Sequence, residues 1–156
     1  MSELASVRQL IEQGIDHKLF VHAGPVRSLE QAAAERNQKA SQVVRSLLFR
    51  LAKDQFALVL VAGPAQIPWK TLRTFFEQRR LSQASPEEVL AVTGYKIGTV
   101  SPFGLATKVP IYIDKSVMLE DDLSMGSGKS GQAIVMSTQE FLRALPQAEH
   151  ISLFDQ

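Results

Sequence analysis

Cysteine is absent from this chain of 156 residues, which excludes a disulfide framework and a thiolate nucleophile. Long apolar runs are also absent, so no segment reaches the roughly 20 residues that a membrane-spanning helix needs. Neither charge is in clear excess: the formal net charge is +1, which argues against a protein that coats nucleic acid with a strongly basic face. The amino terminus lacks the features of a secretion signal. We therefore expect a cytoplasmic protein that binds neither membranes nor DNA.

The length and composition are typical of one globular domain. Hydrophobic residues make up 45% of the chain and charged residues 21%, which is an ordinary balance for a protein with a packed core. No internal repeat or low-complexity segment interrupts the sequence. We expect a single domain over residues 1–156.

Helix starts are indicated by residues that can cap or open a helix. Capping residues at Ser2, Ser28, Ser85 and Ser137 predict four helices, and Pro68 predicts a fifth. Gly14 and Gly94 stand where the first helix and the one after Ser85 are expected to end. A short helical turn is expected at residues 40–43.

Apolar, β-rich segments predict the strands. These segments are residues 18–21, 44–51, 55–62, 111–113, 123–125 and 133–136. The second and third are separated by a Lys53-Asp54 turn, which predicts a hairpin at the middle of the sheet. The fold class expected is α+β, with a mixed, mostly antiparallel or barrel-like sheet and helices packed on it.

The most distinctive segment is the loop at residues 93–105, which contains three glycines and a proline between two apolar segments. Gly98 and Gly104 leave the backbone N–H groups open to a ligand, because glycine has no Cβ. Pro102 fixes its own φ and biases Ser101 toward an extended conformation. Such a loop can hold a carbonyl or phosphate oxygen. The alternative is a tight structural turn, which the residues alone favour.

Other sites are poorly supported. The glycine-rich segment at residues 126–131 is similar to a phosphate-binding loop, but Leu123 stands where that motif requires glycine, so a flexible hairpin turn is favoured over a nucleotide-binding regulator. His17, His22 and His150 lie in no metal-ligand spacing. We expect neither a metal nor another cofactor.

Five segments in order give the chain a family resemblance. They are residues 28–33, 42–49, 58–63, 93–105 and 109–114. Together they resemble the YbaK/prolyl-tRNA synthetase-associated editing domain family, whose members hydrolyse wrongly charged aminoacyl-tRNA. The resemblance implies a trans-editing deacylase of the proline-related group that binds the acceptor end of tRNA. An aminoacyl-tRNA synthetase is a further candidate partner, and the oligomeric state stays open.

The resemblance also implies a site. Family members commonly carry a lysine where this chain has Arg45. Arginine stays charged and cannot serve as a general base, so Arg45 is expected to clamp a phosphate or to steady a carbonyl oxygen that gains negative charge. Gly98 is expected to supply a backbone donor, and Ser101 to bond the ester carbonyl or the amino group. Because the lysine is missing, a binding module that has lost turnover is the alternative function.

Further residues are expected around the substrate. The substrate-binding candidates are Thr99, Val100, Pro102, Gly104, Ser127 and Gly128. Asp114 matches a family segment as well, but its expected role is to cap the turn that follows it.

Overall fold

A computed structural model describes residues 4–154, and these residues form five α-helices and eight β-strands. The helices are α1 (Ala5–Glu12), α2 (Leu29–Glu35), α3 (Trp69–Phe76), α4 (Pro86–Thr93) and α5 (Thr138–Ala144). The strands are β1 (Lys18–Val21), β2 (Val44–Ala52), β3 (Gln55–Ala62), β4 (Ser82–Gln83), β5 (Ile111–Asp114), β6 (Asp122–Gly126), β7 (Gln132–Ser137) and β8 (Glu149–Ile151). Two short 3-10 helices lie at Ala40–Gln42 and Lys115–Met118. The α+β class is confirmed.

The strands are divided between two sheets. The smaller sheet is antiparallel in the order β1-β7-β6, and the larger is mixed in the order β4-β2-β3-β5-β8. In the larger sheet β3–β5 and β5–β8 pair in parallel, while the expected β2–β3 hairpin is antiparallel. A single parallel bridge between Val43 and Ser124 connects the two sheets. The start of β2 therefore lies beside the smaller sheet.

The buried strand β3 separates two hydrophobic clusters. Leu58 and Leu60 belong to a cluster that includes residues of both sheets, such as Met125. Val59 and Val61 belong to a second cluster under α3. This division follows from the strand geometry, because successive side chains point to opposite faces of a sheet. β3 is thus the central strand that the sequence predicts.

The predicted helix caps are largely confirmed. Ser28, Ser85 and Ser137 each accept a hydrogen bond from the backbone N–H three residues later. Pro68 directly precedes the first residue of α3. The predicted cap at Ser2 lies outside the described residues.

The predicted role of Asp114 is also confirmed. Its carboxylate is buried and accepts hydrogen bonds from the backbone N–H of Ser116 at 2.9 Å and of Leu153 at 2.8 Å. The side chain thereby caps the 3-10 helix after β5 and holds Leu153 against β5.

No helix within residues 4–154 is both long and apolar enough to cross a membrane.

Candidate functional site

A cleft of about 810 Å³ opens beside the first half of β2. Its walls come from the segment between β1 and α2, from residues 43–48, from residues 97–100 and from the turn between β6 and β7. The bridge between Val43 and Ser124 brings these segments together, because it places the start of β2 against the smaller sheet. Segments that are far apart in the sequence thus form one concave site.

The cleft has a cationic lining. Four basic side chains line it, namely Arg27, Arg36, Arg45 and Lys129, and no Asp or Glu is among its lining residues. A concave surface with charges of one sign concentrates ligands of the opposite sign. No group of three His, Asp or Glu side chains that could hold a metal ion occurs within residues 4–154. The cleft is therefore suited to an anionic ligand.

Arg45 is the second residue of β2 and enters the cleft half-buried. Its Nη2 donates a hydrogen bond of 2.6 Å to the carbonyl oxygen of Ala65, while its buried Nε has no partner within residues 4–154. Burial lowers the pKa of Arg45 from its ordinary value, although an arginine stays protonated. The buried Oγ of Ser46 also lacks a partner among the described residues. Buried polar groups without a partner are rare, and a bound ligand is one way in which they are satisfied.

Residues 97–100 are held against the turn between β6 and β7. Thr99 accepts a hydrogen bond of 2.8 Å from the backbone N–H of Gly128. A Cβ added to Gly126 would collide with the carbonyl oxygens of Thr99 and Val100, so only glycine permits this close approach. Gly98 has φ +88°, in the left-handed region that favours glycine. The backbone N–H groups of Gly98 and Val100 donate to no acceptor within residues 4–154.

The predicted site residues at the end of the loop do not line the cleft. Ser101 is fully buried, and its Oγ accepts a hydrogen bond of 3.2 Å from the backbone N–H of Phe103. Pro102 lines a different depression. Gly104 packs against the backbone of α1, where a Cβ would collide, and its N–H donates to Gln9. These three residues shape the loop and fasten it to α1.

Ser127 and Gly128 are also outside the lining of the cleft. Ser127 is fully buried; its Oγ lies 3.2 Å from the carbonyl oxygen of Gln132, to which it donates, and accepts from the backbone N–H of Lys129. Gly128 has φ +98° and lies against the ring of Tyr95. The side chains of Arg45, Ser101 and Ser127 therefore do not converge on one cavity. Of the predicted residues, the structure brings together in the cleft Arg45, Gly98, Thr99 and Val100.

Several lining residues were not predicted from the sequence. Ser46 could have been found, since it follows Arg45 on a strand whose start was correctly placed. Arg36 carried no signal, because its surroundings depend on Ser124, which lies 88 positions further along the chain. Lys129 lies in the turn that was interpreted as a flexible hairpin, and that turn does join β6 to β7.

The fold is that of an editing domain. The family model described as "Aminoacyl-tRNA editing domain" matches residues 23–144, and the chain belongs to that family. The chain is 39% identical over 115 residues to an uncharacterised protein, YwhH, of Bacillus subtilis, covering 72% of this chain and 71% of that one.

Two further similar proteins have names that refer to the charging of tRNA with proline. A proline–tRNA ligase of Caldicellulosiruptor saccharolyticus is 31% identical over 110 residues, which is 70% of this chain but only 19% of that enzyme. The solved structure of a proposed trans-editing enzyme for prolyl tRNA synthetase is 27% identical, with a TM-score of 0.85, and the match covers 100% of this chain and 99% of that one. The chain thus corresponds to a small part of the ligase and to the whole of the second protein.

Proposed function

We propose that this protein is an aminoacyl-tRNA deacylase that hydrolyses the ester of mischarged tRNA in the cytoplasm, in the proline-related group of the family. The observation that carries the proposal is the cleft, which is lined both by Arg45, whose buried Nε has no partner within residues 4–154, and by Gly98 and Val100, whose backbone N–H groups donate to no acceptor there. These groups are all hydrogen-bond donors. Such donors fit a ligand that is anionic and that gains further negative charge on a carbonyl oxygen.

The reaction proposed is ester hydrolysis. A water oxygen attacks the carbonyl carbon, the carbonyl oxygen takes up negative charge, and the bond between the carbonyl carbon and the ribose oxygen then breaks. The attacking water gives up a proton, the neighbouring ribose hydroxyl of the substrate can help to pass it to the leaving ribose oxygen, and the amino acid is released as the free acid. Because an arginine cannot serve as a general base, catalysis depends on orienting the water and on stabilising the oxyanion.

Each residue in the cleft has a role in the proposal. Arg45 and the backbone N–H groups of Gly98 and Val100 stabilise the oxyanion, and Thr99 forms the wall beside them. Ser101, Pro102, Gly104, Ser127 and Gly128 are assigned to the shape of this wall, through the buried contacts described above. The substrate is the acceptor end of a mischarged tRNA. A synthetase partner is suggested by the ligases that contain a related segment.

A second candidate function is a module that binds aminoacyl-tRNA without turnover. It is favoured by Arg45, which replaces a lysine that family members commonly carry. Arginine keeps the phosphate-binding and carbonyl-binding ability of the site but removes any base that a lysine could provide.

One experiment separates the two functions. Proline tRNA charged with alanine, serine or cysteine, and correctly charged with proline, is incubated with the protein, and the remaining ester is measured over time. We expect loss of ester from at least one mischarged tRNA and none from the correct one. Stable binding of tRNA with no loss of any ester would instead establish the binding module.

A further inference from the structure

Arg36 is held in a fixed position at the wall of the cleft. It directly follows α2, and its Nε donates a hydrogen bond of 3.1 Å to Nε2 of His22. Its Nη1 donates a second hydrogen bond of 2.9 Å to Oγ of Ser124, which is fully buried. Ser124 donates in turn to the side-chain oxygen of Gln38 at 2.6 Å, so its oxygen is oriented to accept from the arginine. The hydrogen bonds to His22 and Ser124 come from two different nitrogens, so together they fix the orientation of the guanidinium.

His22 is oriented to accept from Arg36. Its Nδ1 lies 2.5 Å from Oε1 of Glu35, which fixes the proton on Nδ1 as the donor to that carboxylate. Because the Nε–H of Arg36 can only donate, Nε2 is the acceptor in the bond between the two side chains. The ring is buried and packs edge-on against Phe20, with centroids 4.9 Å apart. Gln31 donates to the other oxygen of Glu35 at 2.8 Å and holds that carboxylate in place.

The remaining donors of Arg36 have no partner among the described residues. A guanidinium has five N–H groups, and the two hydrogen bonds above use two of them. No third acceptor occurs within residues 4–154, and Arg36 makes no salt bridge with a carboxylate there. Burial lowers the pKa of Arg36 and the nearby charge of Glu35 opposes that shift, so the partly buried guanidinium is only partly compensated and its remaining N–H groups can pair with an anion. Because Arg36 lines the cleft, an anion bound there can pair with these groups.

We propose that Arg36 binds the 5′-phosphate of the terminal adenosine of the tRNA, and that His22 and Ser124 are its positioning residues. The identity of the ligand rests on the proposed function. The arrangement matches phosphate chemistry, since a planar guanidinium presents parallel N–H groups to two phosphate oxygens. It leaves Arg45 free for the ester carbonyl at another part of the same cleft.

A cycle of two ligands and two proteins tests the assignment. Adenosine 5′-monophosphate and adenosine, which lacks the phosphate, are titrated into the natural protein and into Arg36→Gln by calorimetry. We expect the natural protein to prefer the monophosphate by about tenfold or more, and Arg36→Gln to lose that preference. Lys53→Gln removes one charge in the turn between β2 and β3, outside the cleft, and is expected to keep the full preference.

Two further variants separate binding from folding. Arg36→Lys keeps the charge but cannot make both structural bonds, so its preference for the monophosphate is expected to fall partway, and it carries the test if Arg36→Gln does not fold. His22→Leu removes the acceptor while keeping Arg36, and it is expected to reduce the same preference for the monophosphate over adenosine.

Failure of the phosphate site and failure of the proposed deacylase activity give different results. A natural protein that binds the two ligands equally or not at all, or an unchanged preference in the Arg36 variant that folds, overturns the assignment. Absence of deacylation together with a phosphate preference that depends on Arg36 would refute the enzyme and leave the phosphate site standing. Deacylation by the natural protein that Arg36→Gln leaves unaffected would support the enzyme and refute the role of Arg36 in binding the substrate's phosphate.

Discussion

The backbone N–H of Gly128 donates a hydrogen bond of 2.8 Å to the carbonyl oxygen of Thr99. This bond joins the turn between β6 and β7 to the loop at residues 97–100, and both segments contribute to the wall of the cleft. Gly126 lies under the same contact, too close to the carbonyls of the loop to carry a side chain. The position of the free amides in the cleft therefore depends on two glycines outside the loop itself.

Gly126→Ala is expected to push the loop away from the turn. The added Cβ collides with backbone atoms, which cannot move aside alone, so the free energy of unfolding should fall by about 1–3 kcal/mol and deacylation should slow. Urea unfolding and the rate of ester loss measure the two effects. Gly24→Ala is the matched control, because a Cβ there meets no atom within 4 Å, and its unfolding free energy should change by less than about 0.5 kcal/mol. Equal stability of the two variants would contradict the close approach at Gly126.

Gly98→Ala tests the conformation of the loop without a collision. Gly98 has φ +88° with open space around the missing Cβ, so the substitution brings backbone strain of about 1–2 kcal/mol. Gly14→Ala brings similar strain at φ +67°, also in open space, at the end of α1. Both variants should lose stability to a similar extent, measured by urea unfolding. Only Gly98→Ala should slow ester hydrolysis, and an equal loss of activity in Gly14→Ala would contradict the role of the loop.

Asp114→Ala should destabilise the protein by about 2–4 kcal/mol. The carboxylate accepts from two backbone N–H groups, those of Ser116 and Leu153, and the alanine leaves both without their acceptor. Asp114→Asn keeps one acceptor oxygen and should lose roughly half as much. Chemical unfolding of the three proteins provides the comparison. An alanine variant as stable as the asparagine variant would show that the hydrogen bond kept by the asparagine does not contribute to stability.

Glu140 should make stability depend on acid pH. Hydrogen bonds from Arg143 and from the backbone N–H of Asp16 lower the pKa of Glu140 from 4.5 to about 2. Its contribution is therefore complete above pH 4.5, declines as the unfolded chain takes up a proton, and is lost as the pH falls through about 2. Thermal unfolding of the natural protein and Glu140→Gln should differ at pH 6 and converge at low pH. A difference that stays constant across this interval would refute the shift.

The helices and long strands could be predicted because their signals are local. Ser85 followed by proline marks the start of α4, and the apolar, β-rich segments of β2 and β3 mark the central hairpin. The division into two sheets was not predicted, since the bridge between Val43 and Ser124 joins segments distant in the sequence. β4 and β8 were missed as well. Each has three residues or fewer, so pairing with a neighbouring strand decides its conformation rather than its own residues.

The candidate site was predicted only in part, for a similar reason. Arg45, Gly98, Thr99 and Val100 belong to segments with recognisable patterns, and all four line the cleft. Ser101 has the residue type expected of a ligand-binding group, yet its hydroxyl is used inside the loop. Whether a polar side chain faces a cavity or its own backbone depends on packing that no local pattern records.

The most direct test of the central claim measures hydrolysis of mischarged proline tRNA by the natural protein, Arg45→Ala, Arg45→Lys and Arg50→Ala. Arg50 lies on the same strand outside the cleft, where it pairs with Glu88 at 3.7 Å, so Arg50→Ala controls for loss of a basic residue. We predict that Arg45→Ala slows hydrolysis at least about 100-fold, that Arg45→Lys retains part of the rate, and that Arg50→Ala is unchanged. Hydrolysis by Arg45→Ala at the natural rate would contradict the role of Arg45 in the site.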